Sequence, residues 1–140
     1  MSMRLEKSWG AWGLEFRPDF NAVESGIDVF INWNKDFVGK EATLKFKEKG
    51  VVRKLVTLVI QTPIDVTLDE AIMKDGEAIG YISSGGYAHH IDKSMAMGYL
   101  ATEYEVAGTV LEVEILSELY PAVVQSAPLY DVDGSRMRDS

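Results

Sequence analysis

Four groups of side chains in this sequence could do chemistry. His89, His90 and Asp92 lie within four residues of one another. These are residue types that hold a divalent metal. In an extended segment, adjacent side chains point to opposite faces, so the two histidines chelate poorly as a pair. The chain offers no further histidine and no cysteine to complete a ligand set. Two loop histidines are therefore the simpler account, and no metal site is expected. Ser83-Ser84-Gly85-Gly86 suggests a nucleophile or a phosphate cradle. It lacks the strand-to-helix context and the spacing of a nucleophile elbow or a P-loop, and a β-corner or bulge explains it better. Glu6 lies three residues before Trp9. A carboxylate beside aromatic rings can accept paired N–H donors from a flat heterocycle stacked on them. A surface glutamate satisfies the same spacing. Lys35 is a cation near a helix start and is otherwise an ordinary surface lysine.

The elements that must position these residues fall into two parts. Residues 1–50 mix α and β. Leu5, Trp9 and Trp12 stand at helical spacing and predict one apolar face. Ile27 to Ile31 is a short strand candidate. Asp36 is the expected N-cap of a helix running to about Lys49, with Glu41 and Lys45 as a surface pair and Gly50 just past its end. From Val51 the period becomes strand-like. Val51 to Gln61 is apolar on both faces, as in a strand buried on both sides. Asp75-Gly76 between apolar runs predicts a type I′ hairpin. Ala78 to Ser84 and Met95 to Leu100 read as strands, with a break expected at the serines and glycines between them. Leu111, Val113 and Ile115 alternate with Glu112 and Glu114, and a tight turn at Glu118-Leu119 leads into a strand from Tyr120 to Ser126. Short strands separated by turn signals at this spacing suggest a small barrel or sandwich. The expected class is α+β, mostly β: a short α/β segment, then about six antiparallel strands over residues 51–130. Residues 131–140 form a polar tail expected to fray.

Composition limits the function classes. The 140 residues are 46% hydrophobic and 26% charged, ordinary for a globular domain with a core. No run reaches the ~20 apolar residues of a membrane span. The first residues, Met-Ser-Met-Arg-Leu-Glu-Lys, lack the apolar core of a secretory signal. The absence of cysteine fits a reducing compartment, and the expected location is cytoplasmic. The formal net charge of -8 argues against nucleic-acid binding, which needs a basic face. Lys40 to Lys54 comes nearest to one, but Glu41 and Glu48 interrupt it.

Several stretches, taken in order, resemble one family. RLEKSWGAWGLEF at Arg4 to Phe16 is similar to the Arg-Leu-Glu-Lys…Trp-Gly segment of the glycine cleavage T-protein (aminomethyltransferase) family. Asp36 to Ala42 resembles its Asp-Phe-Ile-Gly-(Arg/Lys)-Glu-Ala helix start. Gly80 to Leu100 resembles its Gly-x-(Val/Ile)-Thr-Ser-Gly-x-Tyr-Ser signature and the strand beyond it. Ala122 to Tyr130 is similar to its closing strand and the Pro-(Leu/Phe)-Tyr-Asp that follows. The Glu-Lys-Ser-Trp wording and Pro128 to Asp131 look closest to the folate-binding region of dimethylglycine and sarcosine dehydrogenases.

The resemblance implies a C-terminal β-barrel of the aminomethyltransferase type, preceded by the tail end of a central folate-binding subdomain. It implies tetrahydrofolate as cofactor, with FAD only on a further domain if the parent is a dehydrogenase, and a small methylated amine as donor. Glu6 matches the family's pterin-binding glutamate. Lys35 falls where the family often has an arginine facing the folate's glutamate tail. The chain would then be a C-terminal fragment, inactive alone, with missing domains or another copy covering Leu5, Trp9 and Trp12. The rival reading is a stand-alone, non-catalytic β-barrel that serves as a binding module.

Overall fold

The computed structural model describes residues 2–126 and 128–138. Six strands close into an antiparallel barrel: β1 (Arg53–Ile60), β2 (Ala71–Lys74), β3 (Glu77–Ala88), β4 (Lys93–Ala101), β5 (Val110–Ile115) and β6 (Glu118–Gln125). Their spatial order is β1-β4-β3-β2-β5-β6. Two α-helices, α1 (Ser2–Glu6) and α2 (Lys40–Lys49), precede the barrel. The α+β, mostly β class and the six-stranded barrel expected from the sequence are what the chain forms.

Local chemistry explains much of this. Asp75 (φ 51°) and Gly76 (φ 82°) both adopt positive φ, as a type I′ turn requires, and Lys74 pairs with Glu77 across it. In β5, Leu111, Val113 and Ile115 are buried while Glu112 and Glu114 face outward. With Leu58, Ile60, Ile72, Ile82, Leu100 and Val124 they fill the barrel. Each such side chain contributes roughly 1.5–3 kcal/mol by leaving water.

β3 does not break at its serines and glycines. It runs through them with one irregularity: the register shifts between Ile82 and Ser84, leaving Ser83 as an extra residue. The bend is therefore a bulge at Ser83. Gly85 serves a different purpose. A Cβ there would lie 2.4 Å from the Val66 carbonyl oxygen, so only glycine lets the preceding connection pass this close.

Five local expectations are corrected. Ile27 to Ile31 is not a strand, since Asp28–Phe30 form a 3-10 turn. Gly39, in left-handed conformation, is the N-cap of α2. Asp36 instead pairs with Lys40 at 3.9 Å, and Glu41 and Lys45 form no ion pair among the described residues. The tight turn before β6 is Leu116-Ser117, both at positive φ, and Glu118 and Leu119 already pair in the ladder. Leu5, Trp9 and Trp12 share no helical face, because α1 stops at Glu6. The Trp9 N–H returns to the Arg4 carbonyl and the Ser8 N–H to that of Leu5, with Ser8 at φ 51°: a Schellman end. Leu5 is buried, whereas Trp12 is 89% exposed.

The segment before the barrel is tied down at several points. Phe20 stacks on Tyr99 with ring centroids 3.7 Å apart, and the Arg53 guanidinium lies over the Phe20 ring, 4.5 Å from its centroid. The Leu55 N–H donates to the Glu24 carbonyl. α2, by contrast, buries none of its residues. The polar tail is also anchored: Asp131 accepts from Lys7, Ser135 and the Arg136 N–H. Residues 139 and 140 lie outside the described residues.

Candidate functional site

The hairpin joining β3 to β4 turns through residues 89–92, with Asp92 at φ 54°, a conformation aspartate tolerates better than most residues. This tip carries His90 to the end of α1. Glu6, only 1% exposed, accepts two hydrogen bonds from this one residue. The His90 backbone N–H donates to Oε1 at 2.8 Å, and the imidazole Nδ1 to Oε2 at 2.8 Å. An ionised carboxylate only accepts, so Nδ1 carries the proton. The imidazole also lies against Tyr130, with centroids 4.5 Å apart and planes 33° from parallel. The Tyr130 N–H closes the group by donating to the Glu6 carbonyl at 3.3 Å.

A second buried carboxylate was not singled out by sequence reasoning. Glu15 is fully buried. Its Oε2 accepts from the Ala11 N–H at 2.7 Å and from Arg4 Nη1 at 3.3 Å. Its Oε1 accepts from the Ser83 hydroxyl at 2.7 Å and from the Ser84 hydroxyl. Tyr99 donates to the Glu15 carbonyl at 2.9 Å and therefore accepts from Ser25 at 2.8 Å. Burial pushes the Tyr99 phenol up to about 12, a rise that the Ser25 hydrogen bond opposes. In the sequence, a carboxylate flanked by the apolar Leu14 and Phe16 is the one signal for this network.

The remaining sequence candidates separate. Ser83 and Ser84 are held by a carboxylate, and His90 is bonded to Glu6, so this geometry assembles no serine nucleophile. His89 meets the edge of Tyr87 at 5.1 Å, while the Tyr87 hydroxyl donates to Asp92. That hydrogen bond raises the phenol above its ordinary range. No group of three or more His, Cys, Asp or Glu residues could hold a metal among the described residues. Lys35 stands exposed at the end of a turn, its N–H donating to the Asn32 carbonyl. No hydrogen bond or ion pair joins it to Glu6 among the described residues. In the Glu6 group both carboxylate oxygens are taken by His90, whose ring lies against the Tyr130 face.

The profile of the glycine cleavage T-protein C-terminal barrel domain matches residues 53–131. The chain belongs to this family. Human mitochondrial dimethylglycine dehydrogenase is 39% identical over 140 residues, which cover 98% of this chain and 16% of that protein. An aminomethyltransferase of Desulfitobacterium hafniense is 34% identical over 134 residues, covering 95% of this chain and 37% of that protein. The crystal structure of glycine cleavage system aminomethyltransferase T from Bartonella henselae superposes with a TM-score of 0.87 at 27% identity, covering 94% of this chain and 38% of that one. The likeness to dimethylglycine dehydrogenase thus extends beyond the barrel to the segment that carries Glu6 and Glu15. The chain spans well under half the length of these relatives. Among the described residues, no helix is long and apolar enough to cross a membrane.

Proposed function

We propose that this chain supplies the barrel and one wall of the folate channel in a tetrahydrofolate-dependent one-carbon transfer enzyme, of the dimethylglycine dehydrogenase or aminomethyltransferase type. The donor is a methylated glycine or an aminomethyl carrier. The observation that carries this reading is the match of 98% of the chain to a dimethylglycine dehydrogenase, with Glu6 included in the matched stretch. Glu6 contacts the pterin ring, and Lys35 faces the glutamate tail of the folate as a point charge. The chemistry of transfer belongs to groups elsewhere in such a protein, and this chain contributes position. FAD belongs to a separate domain if the parent is a dehydrogenase. Trp9, 48% exposed, and Trp12 meet the remainder of that protein. The expected cytoplasmic location is part of the same reading.

A hybrid tests it. The Desulfitobacterium aminomethyltransferase carries this chain in place of its matching region, and tetrahydrofolate-dependent transfer is measured. The hybrid retains turnover. Glu6→Gln raises KM for tetrahydrofolate about tenfold, the worth of one charge-assisted hydrogen bond, and leaves kcat little changed. An unchanged KM refutes the Glu6 contact. The rival reading, a stand-alone module, draws support from Leu5, which is buried within the chain itself. A hybrid that folds but does not transfer favours that rival.

A further inference from the structure

Glu6 is not vacant. His90 presents it with two N–H donors side by side, one from the backbone and one from a flat ring, and that ring lies on Tyr130. A planar heterocycle with an amino group beside a ring N–H presents the same donor pair and the same stacking face. Glu6 is only 1% exposed, so such a heterocycle cannot simply add to the group as it stands. The His90 side chain, 48% exposed, is the part able to leave. It sits at a hairpin tip, where one residue can swing out without disturbing the ladder that closes at Ala88 and Lys93.

We propose that His90 is an internal occupant of a heterocycle site made by Glu6 and Tyr130, and that a ligand of the aminopyrimidine class binds by replacing the imidazole. This rests on the folate reading and adds its competitor. His90 sets the affinity threshold, because the site binds only in proportion to the fraction of time the imidazole is out. The ligand takes the Oε2 position and the Tyr130 face. The backbone N–H on Oε1 either stays or is replaced by the second donor.

The test uses the 140-residue chain, followed by NMR of the two imidazoles, with 5-formyltetrahydrofolate and 2-aminobenzimidazole as probes. In the unsubstituted chain, saturation with either probe shifts the His90 ring resonances and leaves His89 unmoved. His90→Ala binds about tenfold more tightly, as expected when a competitor that holds the site about nine-tenths of the time is removed. Adding Glu6→Gln abolishes that gain. If only 2-aminobenzimidazole behaves this way, the displacement stands, and an unchanged tetrahydrofolate KM for Glu6→Gln in the hybrid then shows that the folate reading fails. If His90→Ala binds both probes no better than the unsubstituted chain does, the proposal is overturned. An unmoved His90 ring at saturation overturns it as well, and that readout needs no substituted protein.

Discussion

Replacing Glu15 by alanine should be among the most damaging single changes in this chain. The carboxylate is fully buried and accepts from Ala11, Arg4, Ser83 and Ser84. Ser83 can redirect its proton to the Met97 carbonyl, already 3.1 Å away, so the serine side recovers part of the loss. On the other side the Ala11 N–H loses its acceptor, and Arg4, whose side chain is 16% exposed, keeps its bond to the Trp9 carbonyl but loses this charge partner. Breaking a buried pair by removing one member costs about 3–5 kcal/mol. The expected loss is about 4 kcal/mol, a large share of the ~5–15 kcal/mol that holds a domain of this kind. Glu15→Gln should cost about half as much, because the serines can rotate to accept from the new amide and only the charge-assisted bonds to Arg4 and Ala11 weaken. Urea denaturation measures both. With a slope of about 1–3 kcal/mol per molar, alanine should lower the midpoint by more than a molar unit, and glutamine by about half that shift. An alanine variant within about 1 kcal/mol of the parent, or a glutamine variant no better than alanine, would refute the account of the network.

Three other outcomes are expected. Gly85→Ala forces a methyl group toward the Val66 carbonyl and should cost roughly 1–3 kcal/mol as overpacking; a neutral result by thermal melting means that the connection can retreat. Leu5→Ala should destabilise by about 2–5 kcal/mol, whereas Trp12→Ser should stay within about 0.5 kcal/mol; equal losses would restore the single apolar face. The folded pKa of Tyr99 is raised from 10.0 to about 12, so its contribution is complete below pH 10.0 and is lost as the pH rises through about 12. Alkaline denaturation followed by tyrosinate absorbance should show this limb, and Tyr99→Phe should remove it.

The parts of the fold that were legible in the sequence are those fixed by near neighbours. Asp75-Gly76 specifies its own turn, and the Leu111, Val113, Ile115 alternation specifies a face without reference to distant residues. Misreadings occurred where the deciding residue carries no strong local preference. Leu116 and Ser117 adopt positive φ because β5 and β6 are already aligned, not because either residue favours it. Asp36 has the better capping side chain, yet α2 begins only where Gly39 allows the chain to turn. The site was half legible. Glu6 stood out beside its tryptophans, and the family resemblance named it. Its partner His90 lies 84 residues away, and Glu15 meets Ser83 across 68. No local pattern encodes such meetings, which exist only once the β3–β4 hairpin is folded against α1.

Barrel closure also bears on how the chain is made. Of the six barrel strands β1 is synthesised first, and one of its two neighbours, β6, last. Until residues 118–125 emerge from the ribosome, Thr57 to Ile60 of β1 lack the antiparallel partners they later find in Ala122 to Gln125. Until β6 is made the nascent sheet therefore carries unpaired backbone donors and acceptors along β1, joined briefly by those of β5, where another chain can add to it. Slow codons or a stall just before β6 would lengthen that exposure. The finished barrel has no such edge, so its aggregation hazard is confined to its synthesis and to any state in which the β1–β6 seam reopens.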